Sequence, residues 1–151
     1  MYQRERRHRQ SVAIPLRPQI TYPFDDSLKC RLGTLVGSGE QGFLSYKNLH
    51  GKFVTVTPCF RDEPVIDLYH KHSFMKVELY KDGDDYLELL KDAYEFMSDM
   101  LPVKRVQTEY GWDLCSLYDI ELGSYGARTF ENFTWSYGTG LALPRTTNVL
   151  N

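Results

Sequence analysis

Two stretches of alternation, set eleven residues apart, constrain this chain more than any other feature. In Phe53–Arg61, Val54, Val56 and Phe60 share one face, and Thr55, Thr57 and Arg61 share the other. In Ser73–Lys81, Met75, Val77 and Leu79 form one face, and Phe74, Lys76, Glu78 and Tyr80 the other. Both predict half-buried strands with the apolar side toward a helix layer. The connection, Asp62–His72, is too short for a strand–helix–strand crossover, so the pair is expected to form an antiparallel hairpin. Its other face then carries Arg61, Phe74 and Glu78: a guanidinium, a ring and a carboxylate on one surface, which suits a binding floor.

The remaining pattern fits an α+β fold, an antiparallel β-sheet flanked by helices. Asp84 or Asp85 can cap a helix running to about Leu101, with Tyr86, Leu89, Leu90, Ala93, Met97, Met100 and Leu101 at helical spacing and Pro102 behind. Lys104–Tyr110, Leu114–Glu121 and Phe130–Tyr137 read as further strands. The chain then turns through Gly138, Thr139 and Gly140 into a short helix, Leu141–Leu150, with Pro144 in its first turn.

Charge divides the chain. Residues 1–18 hold five Arg and one Glu, whereas the whole chain has a formal charge of −2, so the body is acidic. That sign argues against a broad nucleic-acid binder, although the arm alone could touch RNA. Residues 1–25 are therefore expected to be a basic arm and a proline-rich extended lead-in (Pro15, Pro18, Pro23), and 26–151 the functional domain. No apolar run reaches the ~20 residues that span a bilayer. Cys30, Cys59 and Cys115 make no disulfide framework, so a cytoplasmic setting is expected.

Gly37-Ser38-Gly39-Glu40-Gln41-Gly42 matches the dinucleotide-binding glycine pattern. The interval before the next strand is too short for a crossover helix, and a Rossmann site is not expected. Cys59, His70, His72 and Cys115 fit no short zinc spacing.

Four other segments carry a resemblance. Thr57-Pro58-Cys59-Phe60-Arg61-Asp62-Glu63, followed by His70, Phe74, Lys76 and Glu78, resembles motif 2 of the class II aminoacyl-tRNA synthetases. Gly138-Thr139-Gly140-Leu141-Ala142-Leu143-Pro144-Arg145 is similar to their motif 3. Ser38-Gly39-Glu40 resembles the Thr-x-Glu motif of the seryl branch, and Asp119 to Ser124 resembles that branch's metal-binding strand end. Motif 1 is not recognisable, the motif 2 loop (Pro64–Tyr69) is short, and no tRNA-binding domain is expected. The family's usual dimer is in doubt, and Tyr137 and Ala127 depart from the seryl pattern.

The resemblance implies a class II synthetase-like catalytic core that uses ATP and Mg²⁺ to activate an amino acid, or a similar carboxylic acid, as the adenylate. The resemblance leaves the acceptor open between a protein, a carrier and RNA, and it need not be tRNA. It implies Arg61 and Arg145 as the catalytic pair. ATP would be held by Arg61, Glu63, His70, Phe74, Gly138, Gly140 and Arg145, with Phe74 beneath the adenine. Ser38, Glu40 and Glu78 would hold the amino acid, with Glu40 on its ammonium and Glu78 at its side chain. Glu121 and Ser124 would bind the metal. Such chemistry needs no general base, because the attacking carboxylate is already ionised. The alternative is a non-catalytic paralogue that binds nucleotide or a protein partner.

Overall fold

The computed structural model describes residues 28–30, 33–45, 50–61 and 63–151. The arm and lead-in, residues 1–25, lie outside the described residues, as does Asp62. The first described elements are β1 (Leu28–Cys30), β2 (Gly33–Leu35) and α1 (Glu40–Ser45), with β1 and β2 forming a small antiparallel pair. Then come β3 (Lys52–Phe60), β4 (Ser73–Asp82), α2 (Tyr86–Ser98), β5 (Val103–Gln107) and β6 (Gly111–Ser116). β7 (Glu121–Phe130), β8 (Phe133–Gly140), β9 (Ala142–Leu143) and α3 (Arg145–Leu150) complete the described order. The main sheet runs β3-β4-β8-β7-β6-β5, antiparallel throughout, with β9 against β4. α1 is six residues long, and β3 after it pairs antiparallel with β4. The glycine-rich segment therefore does not enter a dinucleotide-binding crossover. Among the described residues, no helix is long and apolar enough to cross a membrane.

The expected hairpin forms with Lys52 opposite Lys81 and Phe60 opposite Ser73. The pleat of β4 sends consecutive side chains to two layers. Leu79 packs with Leu89, Leu90 and Met97 of α2, together with Leu114, Leu122 and Tyr125. Tyr80 packs on the other side with Phe43 of α1, Trp135 and Tyr137. The Phe43 and Tyr80 rings stack at 4.8 Å.

Burial on β3 is the reverse of the sequence expectation. Val54 and Val56 are exposed, while Cys59 is fully buried and Phe53, Thr55 and Thr57 are half-buried. The reason is the position of the helix. α2 lies over β8, β7 and the end of β4, and it meets the outermost strand through Lys52, whose Nζ is 2.6 Å from both Glu88 and Asp92.

Further corrections concern caps and boundaries. Asp85 stands at the N-cap of α2 without capping it; its carboxylate pairs instead with Lys81, at 3.3 Å. The helix ends at Ser98, and the Leu101 N–H closes the turn on the Met97 carbonyl. The expected strands 114–121 and 130–137 are resolved differently: β6 stops at Ser116, and a whole strand, β7, was absent from the expectation. Its glycines break the alternation pattern. A two-residue turn, Glu131 and Asn132, joins it to β8, with Glu131 at φ 53°. Gly138 and Gly140 belong to β8 rather than to a turn, and Pro144 is the N-cap of α3.

Gly138 has a packing duty. A Cβ there would stand 2.6 Å from Cε1 of Tyr125. Gly138→Ala should cost about 1–3 kcal/mol, read as a lower midpoint in urea, because the ring must shift inside a packed core.

Lys52 and Lys81 flank Glu88 and hold its carboxyl down at about 2. A carboxyl lowered on folding contributes stability above its unfolded value, and that contribution is lost as pH falls from about 5 toward 2. The wild-type melting temperature should therefore decline over that window more than that of Glu88→Gln. The group is surface-screened, so the difference will be small.

Candidate active site

The expected floor is present, and it is roofed by the segment that contains the Ser-Gly-Glu motif. The Gly39 N–H donates to Oε2 of Glu78 at 2.5 Å. A Cβ on Gly39 would lie 2.6 Å from Oγ1 of Thr55 and 3.1 Å from that of Thr57. Only glycine lets the backbone sit this close to β3 and β4. Glu78 is completely buried, and its Oε1 is 3.0 Å from Nζ of Lys76. It therefore anchors the roof and a lysine beneath the cavities, and it is not among the residues lining either cavity.

Two adjoining cavities open on this face. The narrower, about 50 Å³, is lined by Arg61, Glu63, His70, Phe74 and Arg145, among others. The larger, about 300 Å³, is lined by Ser38, Glu40, Arg128, Tyr137 and Ser124, among others. Arg61, Lys76, Glu121 and Thr139 border both. Thus Arg61 and Arg145, far apart in sequence, do reach one crevice.

Each arginine is positioned by something the sequence did not reveal. The Arg61 guanidinium lies over the Phe74 ring, 5.4 Å from its centre. Phe74 thus supports Arg61 as well as facing the crevice. Arg145 donates from Nε to the Tyr69 carbonyl at 3.1 Å, and Asn148 donates to the Leu68 carbonyl at 2.6 Å. α3 therefore grips the short loop after β3. Asp67 folds that loop by accepting the N–H groups of Tyr69 and His70 at 2.7 Å each, and its carboxylate lies 2.9 Å from Nδ1 of His70. The Tyr69 N–H, then His70, keeps the Asp67 carboxyl below its ordinary value. A Cβ on Gly138 would point to Tyr125, on the α2 side of the sheet, and Gly138 is not among the cavity-lining residues; Gly140 pairs with Gly123 in the sheet.

Strand β7, the one unseen in sequence, supplies the wall of the larger cavity. Ser124 and Arg128 stand at alternate positions opposite Thr139 and Trp135 of β8. Ser124 Oγ donates to Asp113 at 2.6 Å and lies 3.3 Å from Glu121. The Glu121 carboxylate, at the border of both cavities, and the Ser124 hydroxyl, on the wall of the larger, are hard oxygen donors of the kind Mg²⁺ takes.

Glu40 differs most from expectation. It is 3% exposed. Its Oε1 accepts the Trp135 indole N–H at 2.8 Å, and its Oε2 is paired with Nη1 of Arg128. Both oxygens, expected to meet an ammonium, thus already hold donors from the protein. Burial pushes the Glu40 carboxyl up, an effect that Arg128 and the Trp135 N–H offset in part. Arg128 itself lies over the Tyr137 ring, 4.3 Å from its centre. The alternation of β7 would have exposed Arg128 had the strand been recognised. Lys76, on the face of Phe74 and Glu78 in the sequence pattern, also borders both cavities.

No family model matches the chain. Over 107 residues it is 33% identical to the serine–tRNA ligase of Phytoplasma mali, a match covering 60% of this chain and 25% of that protein. The chain therefore spans about a quarter of the length of this curated relative. Its fold matches the crystal structure of pyrrolysyl-tRNA synthetase from Desulfitobacterium hafniense at a TM-score of 0.54 and 16% identity, over 72% of this chain and 44% of that one. The antiparallel sheet with flanking helices is thus the fold of a class II synthetase catalytic domain, and the chain is related to the aminoacyl-tRNA synthetases.

Proposed function

We propose that this chain joins a carboxylic acid, an amino acid or a close analogue, to AMP at the expense of ATP. The observation that carries the reading is the meeting of Arg61 and Arg145 in one crevice beside His70 and Glu63. In this reaction a carboxylate oxygen attacks the α-phosphorus, the bond to the bridging oxygen of the β-phosphate breaks, and pyrophosphate leaves. The attacking group is already an anion, so the work is to align two anions and hold the charge that gathers on the α-phosphate.

Arg61 stands where both cavities meet. Its planar donor fork, steadied on Phe74, suits bridging the acid in the larger cavity and the α-phosphate in the narrower one. Arg145 and His70, which line the narrow crevice and not the larger cavity, suit the terminal phosphates, and Glu63 suits the adenine amino group. Glu121 and Ser124 would hold Mg²⁺, with Asp113 behind Ser124. When bound, the ion supplies positive charge to the phosphates. A branch near the seryl enzymes is supported by the sequence match to a serine–tRNA ligase. The acceptor of the activated group need not be tRNA, since the loop after β3 is short and pinned to α3.

ATP–pyrophosphate exchange over a panel of amino and other carboxylic acids tests the proposal. Label entering ATP with at least one acid supports it. Absence of exchange with every acid overturns it; ATP binding on calorimetry without exchange would then favour the non-catalytic, nucleotide-binding alternative.

A further inference from the structure

We propose that the acid seated in the larger cavity carries a second anionic group, as a dicarboxylate does, and that Arg128 with Lys76 holds that group. This deepens the adenylating reading, which supplies only the assignment of the reacting end to Arg61.

An amino-acid site normally offers a carboxylate to the substrate ammonium. Here the carboxylate in that place, Glu40, is occupied by the Arg128 guanidinium on one oxygen and by the Trp135 N–H on the other. A second carboxylate, Glu78, is buried below the cavity on Lys76 and the Gly39 N–H. The remaining acidic lining group, Glu121, borders both cavities with its carboxylate 3.3 Å from the Ser124 hydroxyl, the pair assigned above to the metal. Toward the substrate, the wall presents Arg61, Lys76 and Arg128. An ammonium could bind Glu40 only by displacing a guanidinium, whereas an anion meets one already fixed.

That fixing is good. Arg128 is held at one nitrogen by Glu40 and along its plane by Tyr137, and its side chain is 27% exposed. A planar fork held this way loses little freedom on taking a carboxylate. The Lys76 ammonium, 6% exposed at the floor and paired with Glu78 at 3.0 Å, adds hydrogen-bond donors beside Arg128. The volume, about 300 Å³, suits a small acid.

Calorimetric titration of the full-length chain with succinate, glutarate, butyrate, L-alanine and inorganic phosphate tests this. The diacids should bind about tenfold or more tighter than butyrate or L-alanine. Arg128→Gln should level that preference and improve L-alanine, because Glu40 is released. Arg128→Lys, which keeps the charge, should retain the preference in weaker form. Should Arg128→Gln fail to fold, the wild-type panel and Arg128→Lys decide. The proposal is overturned if butyrate or L-alanine binds as tightly as the diacids, if none of the acids binds, if phosphate alone binds, or if Arg128→Gln keeps the full preference. Exchange measured on the same samples separates the two readings. Diacid preference without exchange sinks adenylation and leaves the pocket assignment standing, while exchange driven by neutral acids does the reverse.

Discussion

Arg61→Ala should lower the rate of ATP–pyrophosphate exchange by about 10²–10³-fold while the protein remains folded. Removing one preorganised donor from developing transition-state charge typically costs that much. Arg61 borders both cavities and rests on Phe74, so it combines contact with both sides and a fixed plane. Arg61→Lys should recover only a small part of the rate, since a point charge on a flexible stem cannot replace a two-pronged donor. The check is exchange with saturating ATP and acid, together with far-UV circular dichroism. An Arg61→Ala protein that exchanges at the wild-type rate would remove this residue from the mechanism.

Trp135→Ala should destabilise the fold by about 3–5 kcal/mol, a large share of the stability of an ordinary domain. The indole is fully buried, stacks on Phe133 at 5.8 Å, and sits in the cluster of Phe43, Tyr80 and Tyr137. Its loss opens a cavity and also leaves a Glu40 oxygen inside without its donor. Trp135→Phe separates the two effects, because it fills most of the volume and removes only the N–H; a cost of about 1–3 kcal/mol is expected for it. Chemical denaturation of the three proteins measures both, and near-equal stability of Trp135→Ala and wild type would contradict the packing described above.

The hairpin was legible because its period of two is a local property of the chain, and the short connection excluded a crossover. Which of its faces is covered was not legible. Val54 and Val56 read as the inner side, but coverage depends on where α1, α2 and the segment around Gly39 come to rest, and these lie elsewhere in sequence. β7 escaped notice for a related reason. Gly126 interrupts its pattern because a Cβ there would stand 2.6 Å from the Tyr137 hydroxyl, so a strand in the middle of the sheet reads locally like a loop. The meeting of Arg61 and Arg145 in one crevice is expected from the motif resemblance and not from any local pattern. The engagement of Glu40 followed from neither, because its partners, Arg128 and Trp135, lie 88 and 95 residues away.

The outermost strand sets how this protein behaves at high concentration. The Phe60 N–H points off the sheet, to the Val36 carbonyl at 2.9 Å. Successive pleats repeat that direction every second residue, so Pro58 occupies an outward position where its missing hydrogen breaks the row of donors, and Lys52 brings charge to the opposite end. Between them Val54 and Val56 stay wet. Replacing Pro58 with a β-branched residue would restore a donor to that row, the arrangement on which a strand of another molecule can add.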